Sequence, residues 1–272
     1  MRPAVGTRPW SLTVPDRYRS IQVEIEGRLA TVRLNRPERG NRIDSVLAAE
    51  LAEAFTELAH EVGIWAAVLL AAGPDFCLGE DPEDPPPNRG PWVRPAYPGL
   101  EFPEAVAAYP RPLVAGIQGR CSGVGLELAL CADIRVASRD AVFALDQLQQ
   151  GTLPRFGGTQ RLPRVVGRGR ALDLILTGRG LPAAEAEQIG LVTRLVDGDV
   201  EAAARQVAEE VLANGPLGLM LAKEAVWRGL ELPLHQALRV ENDLYLLLET
   251  TADRLEGKAA FLERRRPVWH GR

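Results

Sequence analysis

Two glycine-rich turns, each placed at the end of an apolar run, carry the residues of this chain best suited to chemistry. The first turn covers residues 71–81 and follows the run 64–71; the second covers residues 117–129 and follows the run 112–117. In the second glycine-rich turn, small residues lead into a helix. The N-terminus of a helix offers free N–H donors and a partial positive charge. Because glycines let a ligand approach the backbone closely, this pattern favours a site for a developing oxyanion.

A phosphate-binding loop is the alternative interpretation of the turn at residues 117–129. It is excluded because no Gly-Lys-Ser or Gly-Lys-Thr follows and the dinucleotide-binding glycine spacing is missing. One carboxylate, Glu127, lies early in the helix that this turn opens, and it is either a catalytic group or a helix-surface residue. A third glycine-rich segment, residues 147–162, also opens a helix.

The elements that must position these turns alternate between strands and helices and then become helical. Alternating apolar and polar residues predict a strand pair, and the two continuous apolar runs are typical of strands covered on both faces. Asp44 or Ser45 caps a helix that runs through about His60, and Pro182 suits the first position of a later helix. The strand pair covers residues 21–25 and 30–34, further short strands are predicted at 134–137 and 142–145, and from Arg168 onward the sequence predicts almost only helices.

Composition and charge limit the class of protein. The 272 residues allow one large domain, and a net charge of −4 implies no basic face, so no nucleic-acid partner is expected. Three cysteines lack the spacing of a zinc site, which predicts a metal-free, cytoplasmic protein with reduced thiols. No apolar run approaches ~18 residues, so no membrane span is expected.

Two segments stand apart from the regular elements. Residues 1–20 are rich in Arg and Pro, lack the apolar core of a secretory signal, and are expected to form a flexible N-terminal arm. Residues 81–98 are proline-rich and show no periodicity. They form either a functional or mobile loop or a disordered surface insertion.

Taken together and in order, the three glycine-rich segments resemble the enoyl-CoA hydratase/isomerase (crotonase) family. Leu34-Asn35-Arg36-Pro37 is similar to the opening motif of the family, and residues 253–263 are similar to its C-terminal signature. Residues 176–179, 190–192 and 222–225 match landmarks between them. The resemblance covers roughly residues 21–269.

The resemblance implies an α/β fold: a crotonase-like spiral of ββα units with a C-terminal helical trimerisation region. Residues 21–200 would form the spiral core and residues 201–272 the helical region. It implies an acyl-CoA substrate, no cofactor other than the coenzyme A of that substrate, and assembly as a homotrimer or homohexamer.

The resemblance also implies a role for individual residues. The thioester oxygen would lie between the backbone N–H groups of Glu80 and Val124, each of which could contribute ~3 kcal/mol to the transition state. Residues expected to contact the substrate are Arg36 and Arg42 at the CoA phosphates, Lys258 and Phe261 in the C-terminal signature, and Leu78, Asp81 and Gly123 beside the two amides.

The chain departs from the family at the acid–base pair. Family hydratases use two glutamates on one water; the first corresponds to Glu127 but the second to Gln147. An amide does not exchange a proton at neutral pH, and general acid–base catalysis is worth about 10²–10⁴-fold. Asp146 is adjacent and is a candidate catalytic residue in place of the missing glutamate, but if the segment is extended it would face the other way. Glu80 either takes the missing role or faces solvent.

The sequence therefore predicts a specialised acyl-CoA enzyme that adds or eliminates water through a thioester enolate. Glu127 would act as acid and base, and Gln147 would hold the water. Double-bond isomerisation, decarboxylation and C–C bond hydrolysis through the same enolate stay open. So does a non-catalytic CoA-binding protein, because of Gln147.

Overall fold

The computed structural model of the protein describes residues 11–13, 17–84 and 102–272. The proline-rich segment predicted at residues 81–98 therefore lies outside the described residues from position 85 onward. Of the N-terminal arm, residues 11–13 form a short strand that pairs with the first strand of the hairpin. The rest of the arm up to residue 16 lies outside the described residues.

The described residues form two sheets. The larger sheet has seven strands in the order β1-β2-β3-β4-β5-β7-β10, in which β1 to β3 pair antiparallel and all later neighbours pair parallel. The strands are β1 (Ser11–Thr13), β2 (Ile21–Glu26), β3 (Leu29–Leu34), β4 (Ala66–Ala71), β5 (Leu113–Ile117), β6 (Arg120–Ser122), β7 (Ile134–Ser138), β8 (Val142–Ala144), β9 (Leu181–Pro182) and β10 (Arg194–Val196).

The smaller sheet consists of strands that lie, along the chain, between strands of the larger sheet. It has the order β6-β8-β9, and a bridge between Cys77 and Cys121 adds the segment after β4 to its edge. Successive turns of the chain thus place one strand in the large sheet and the next in the small sheet: β5 then β6, β7 then β8. This confirms the predicted spiral of strand pairs and helices.

Helices cover the large sheet and then continue into a helical region. Asp44 caps the first helix through a hydrogen bond from the Leu47 N–H, as predicted. The helices are α1 (Ser45–His60), α2 (Phe102–Ala107), α3 (Val124–Ala129), α4 (Gly158–Val166), α5 (Arg168–Thr177), α6 (Ala183–Gln188), α7 (Val200–Leu212), α8 (Pro216–Gly229), α9 (Leu234–Glu249) and α10 (Ala252–Glu263).

Strand β4 shows why a continuous apolar run was needed here. Its residues are all buried, and alternate side chains point to opposite faces of the sheet. Leu69 packs into the main core with helix α1, whereas Val68 and Leu70 pack into a second core with Val207 of helix α7. The sheet is therefore covered on both faces, which holds its strand ends in fixed positions.

The structure corrects three predictions about elements. Strand β4 begins at Ala66, two residues later than the apolar run. Pro182 is the N-cap residue of α6, extended at φ −62° and ψ 150°, and not its first helical residue. The region after Arg168 also contains strands β9 and β10, which are too short to show a periodicity of their own. Among the described residues, no helix has the length and apolarity to cross a membrane.

Candidate active site

The two glycine-rich turns lie side by side at the edge of the small sheet. Phe76 N donates to Gln118 O at 2.9 Å, and Ser122 N donates to Cys77 O at 2.9 Å. Beyond these bonds the backbones stay close, since a Cβ placed on Gly123 would lie 3.6 Å from the Cα of Gly79. The strand pairing therefore brings together the turns that the sequence singled out.

The backbone amides expected to bind the thioester oxygen have no hydrogen-bond partner among the described residues. Within residues 17–84 and 102–272, neither the N–H of Glu80 nor that of Val124 donates a hydrogen bond. Gly123 precedes helix α3 with φ 54° and ψ −125°, a conformation that a residue with a side chain rarely adopts. This glycine leaves the N–H of Val124 at the start of the helix, where no acceptor lies among the described residues.

Glu127 is buried at 1% exposure on helix α3, and its carboxylate is held by three donors. Its Oε1 accepts from the N–H groups of Phe156 and Gly158, each at 2.8 Å. Its Oε2 accepts from the Nε2 of Gln147 at 2.9 Å. Because the backbone donors both use Oε1, Oε2 is the oxygen with a lone pair available for a ligand.

The environment of Glu127 brings its pKa into the neutral range. Burial disfavours the charged form and raises the pKa from 4.5 to about 7, while the two backbone hydrogen bonds oppose the shift. The charge of Glu80 raises this pKa further and that of Arg155 lowers it. A carboxyl group with a pKa near the ambient pH can both accept and donate a proton.

Gln147 lies beside Glu127 and has one unused polar atom. Its Nε2 binds the Glu127 carboxylate, and its Oε1 is buried without a hydrogen-bond partner among the described residues. A buried acceptor without a donor is costly unless a ligand or water supplies one. The unpaired oxygen is therefore a place for a water O–H next to Glu127.

Asp146 lies on the same side as its neighbour, contrary to the prediction from an extended segment. Asp146 has φ −96° and ψ 10°, and a 3₁₀ helix, Gln147–Gln150, begins directly after it. A Cβ on Gly123 would lie 3.4 Å from Asp146 Oδ1 and 3.8 Å from Gln147 Nε2. The tight helical turn, rather than strand alternation, brings both side chains to the second glycine-rich turn.

Glu80 forms an ion pair with Arg155, which lies in the third glycine-rich segment. Its Oε1 lies 2.7 Å from Nη2 of Arg155, and both side chains are partly exposed. The guanidinium of Arg155 also lies 5.0 Å from the centre of the Phe156 ring. The Glu80 side chain therefore does not face solvent alone, and it makes no hydrogen bond to Glu127. Its ion pair connects the first glycine-rich turn to the segment before helix α4 that carries Arg155 and Phe156.

Four other predicted substrate-binding residues have contacts within the protein. Asp81 is buried, and its carboxylate lies 3.2 Å from Arg36 and 3.1 Å from Arg39. Arg36 also pairs with Asp44. Arg42 donates to backbone carbonyls of the first turn, and Leu78 packs closely over Gly40. Their proposed contacts with substrate stay predictions.

Lys258 and Phe261 lie on helix α10 in the helical region. Lys258 is exposed, and Phe261 is 83% exposed, an unusual position for an aromatic ring in a folded chain. Among the described residues, neither side chain forms a hydrogen bond or ion pair with Glu127 or with the glycine-rich turns. Their predicted contact with CoA stays a prediction.

Within the described residues, no cluster of three or more His, Cys, Asp or Glu could hold a metal ion. The thiols of Cys77, Cys121 and Cys131 are free and buried, and burial raises the pKa of Cys77 and of Cys131 to about 12. Buried thiols with raised pKa values are poor nucleophiles.

Sequence reasoning missed the groups that hold Glu127. The donors are backbone N–H groups of Phe156 and Gly158, which carry no side-chain signal. The signal available was the Gly157-Gly158 pair, since a Cβ on Gly158 would lie 2.9 Å from Glu127 Oε1. Glycine at this position lets the backbone approach the carboxylate.

The spiral of ββα units defines the crotonase class of fold. The chain belongs to the enoyl-CoA hydratase/isomerase family, whose model matches residues 24–272. It is 37% identical over 261 residues to a probable enoyl-CoA hydratase of Rhizobium meliloti (strain 1021), covering 92% of this chain and 97% of that protein.

Two further relatives show the range of the likeness. The chain is 35% identical to an (E)-benzylidenesuccinyl-CoA hydratase of Thauera aromatica, with 92% of this chain and 99% of that protein covered. The crystal structure of an enoyl-CoA hydratase from Bacillus anthracis matches with a TM-score of 0.89 and 36% identity, covering 93% of this chain and all of that one. These relatives support an enzyme of acyl-CoA chemistry.

Proposed function

We propose that the protein adds water to, or eliminates it from, a CoA thioester through an enolate, with Glu127 as the acid and base. The observation that carries this proposal is the buried Glu127 carboxylate together with the backbone amides of Glu80 and Val124, which find no acceptor in the described part of the chain. The family membership supports a CoA thioester as the substrate, and the Thauera relative is itself a hydratase.

Hydration would begin with a water held between Glu127 Oε2 and Gln147 Oε1. Oε2 takes one proton of this water while the hydroxyl oxygen bonds to the β-carbon of the enoyl group. The electron pair of the double bond moves into the thioester carbonyl, and the N–H groups of Glu80 and Val124 stabilise the oxyanion. Glu127 then returns the proton to the α-carbon, which balances the reaction.

Gln147 would orient the water without exchanging a proton. Its Nε2 donates to Glu127 and leaves Oε1 to accept from the water. A glutamate at this position would add a second acid–base group, whereas the amide gives only hydrogen bonds. The hydratase should therefore be slower than a two-carboxylate relative on simple enoyl-CoA substrates.

Isomerisation, decarboxylation and C–C bond hydrolysis need the same oxyanion site and stay alternatives within the family. A protein that only binds CoA is the alternative outside catalysis. The raised pKa of Glu127 favours catalysis, because a residue kept only for packing gains nothing from a buried carboxylate. We further propose a cytoplasmic location. We also propose assembly as a homotrimer or homohexamer, and the apolar side chains exposed on α8 to α10 support such an assembly.

The first test follows the enoyl-thioester absorbance of crotonyl-CoA and longer enoyl-CoAs with the purified protein. We expect Glu127→Gln to lower kcat by about 10²–10⁴-fold, because it removes the group that moves the proton. We expect Gln147→Glu to raise crotonyl-CoA hydration by about 10-fold or more, because it restores a second carboxylate.

Gln150→Glu is the matched control, since Gln150 is exposed in the same 3₁₀ helix and the change adds the same charge. It should leave the rate unchanged. Full activity in Glu127→Gln would refute the role of Glu127. Failure of every acyl-CoA to bind in calorimetry would refute the proposed function as a whole.

A further inference from the structure

Consecutive backbone groups of the first glycine-rich turn are all held by the short segment before helix α1. Nη1 of Arg42 donates to the carbonyl oxygens of Leu78 at 2.8 Å and of Glu80 at 3.0 Å. Between them, Gly79 O accepts from Ile43 N at 2.9 Å, and Asp81 N donates to Ile43 O at 2.9 Å. Three successive peptide planes of the turn are thereby fixed.

This pattern determines where the N–H of Glu80 points. In a trans peptide the C=O and the N–H point in opposite directions, and no cis peptide occurs among the described residues. Because Gly79 O points at Ile43, the N–H of Glu80 points away from that segment. This is the amide that finds no acceptor in the described part of the protein.

The turn needs a restraint because its central residue is a glycine. Gly79 has φ +101°, a conformation that only glycine adopts freely, and glycine also populates negative φ values. Rotation of the peptide between Gly79 and Glu80 would point a carbonyl oxygen where the N–H should be. Bonds to the carbonyls on both sides of this peptide oppose the rotation.

We propose that Arg42 is a positioning residue that holds the N–H of Glu80 towards the thioester oxygen of the substrate. The inference rests on the proposed function, in which this amide stabilises the oxyanion. One cationic donor serves both flanking carbonyls, and hydrogen bonds from charged donors are stronger than those between neutral groups. Arg42 thus acts through the backbone and not by contact with the reacting atoms.

Arg42 is itself held in place from the opposite side. Its carbonyl oxygen accepts from Nη1 of Arg36 at 3.0 Å, and Arg36 pairs with both Asp44 and Asp81. Nearby, the Asn41 amide donates to Ala72 O and to Asp75 O. The segment that carries Arg42 is therefore bound to the start and to the end of the first glycine-rich turn. These contacts fix the position of Arg42 itself.

The test compares Arg42→Met and Arg42→Lys with the unmodified protein, using enoyl-CoA hydration and a push–pull cinnamoyl-CoA. The absorption of this probe moves to longer wavelength when its thioester carbonyl is polarised. We expect Arg42→Met to lower kcat by about 10–100-fold, less than loss of a whole oxyanion donor, because the bonds from Ile43 remain. In Arg42→Met, KM should change by less than about 2-fold and the red shift of the bound probe should decrease. Arg42→Lys should restore part of the kcat and part of the red shift.

Arg28→Met is the matched control, since Arg28 donates to the carbonyl of Gly63 in a separate loop. It should leave the kcat and the red shift unchanged. A probe that binds the unmodified protein with no red shift would refute the oxyanion site itself, and the proposed function with it. A red shift that Arg42→Met leaves intact would refute the role of Arg42 alone. Weaker CoA binding with an unchanged kcat would refute it too, because that is the result expected if Arg42 contacts a CoA phosphate.

Discussion

At the residue scale, the central feature is a carboxylate balanced between burial and hydrogen bonding. Burial alone would keep Glu127 neutral, and the N–H groups of Phe156 and Gly158 alone would keep it charged. The two effects together leave its pKa at about 7. A single residue in this state can take the proton from water and return it to carbon.

This balance predicts the pH dependence of the reaction. The same carboxylate accepts the first proton in hydration and in dehydration, so kcat/KM should fall in both directions as pH decreases below about 7. The sign follows from the raised pKa, because protonated Glu127 accumulates below that pH and cannot act as a base. Initial rates from pH 5 to pH 9, measured in both directions, test this prediction, and an acid limb near pH 4.5 would contradict it.

The site could be predicted from the sequence only where a side chain carries the signal. The resemblance identified Glu127 and Gln147, and the structure places them in direct hydrogen-bond contact. It gave no sign of the ion pair between Glu80 and Arg155, because the two residues meet only through the folded loops. Asp146 would have faced away only in an extended segment, and a 3₁₀ helix takes the place of that segment, so a catalytic role of Asp146 stays a prediction.

At the element scale, the position of helix α3 depends on one glycine. Gly125 lies in the first turn of the helix, and a Cβ there would lie 2.6 Å from Cβ and 2.8 Å from the carbonyl oxygen of Cys77. Real side chains do not tolerate such contacts with backbone. The close approach allows the helix that carries Glu127 to pack directly on the first glycine-rich turn.

Gly125→Ala should therefore move α3 away from the turn, lowering the free energy of unfolding by about 1–3 kcal/mol and kcat along with it. Denaturant unfolding and hydration kinetics measure the two effects. Gly169→Ala is the control, because Gly169 lies in helix α5 with open space around it, and alanine there should be neutral or stabilising by up to about 1 kcal/mol. Equal behaviour of the two variants would contradict the packing argument.

Elements with a strong pattern were predictable, and short ones were not. The hairpin β2–β3, helix α1 and the buried strands β4 and β5 were predicted within about two residues, because each has clear periodicity or a continuous apolar run. Strands β6, β9 and β10 have two or three residues each and form only because neighbouring strands offer hydrogen bonds. Tertiary pairing, not local sequence, determines them.

At the scale of the whole molecule, the helical region presents apolar side chains to the outside. Leu230, the C-cap residue of helix α8, is 68% exposed, and Leu238 of helix α9 is 52% exposed. Other large apolar residues of α8 and α9 are also exposed. Extended apolar surfaces of this kind usually become buried against another chain. This supports the proposed assembly into trimers or hexamers.

We expect light scattering coupled to size-exclusion chromatography to give the mass of three or six chains. Leu230→Lys with Leu238→Lys should reduce that mass, because each charge would have to be buried in an apolar interface. Val62→Lys is the control, since Val62 is 86% exposed in the loop after helix α1. A monomer at all concentrations, or loss of assembly in the control alone, would contradict the proposal.

The second core has a consequence for synthesis of the protein. Six of the seven strands of the large sheet have been made once strand β7 is complete, but helix α7, which covers one face of that sheet, lies about sixty residues further along the chain. At about 5–20 residues per second, the ribosome needs several seconds to deliver it. During that interval Val68, Leu70 and Val114 lack the cover of helix α7, and we expect chaperones to bind the exposed apolar face of the nascent sheet.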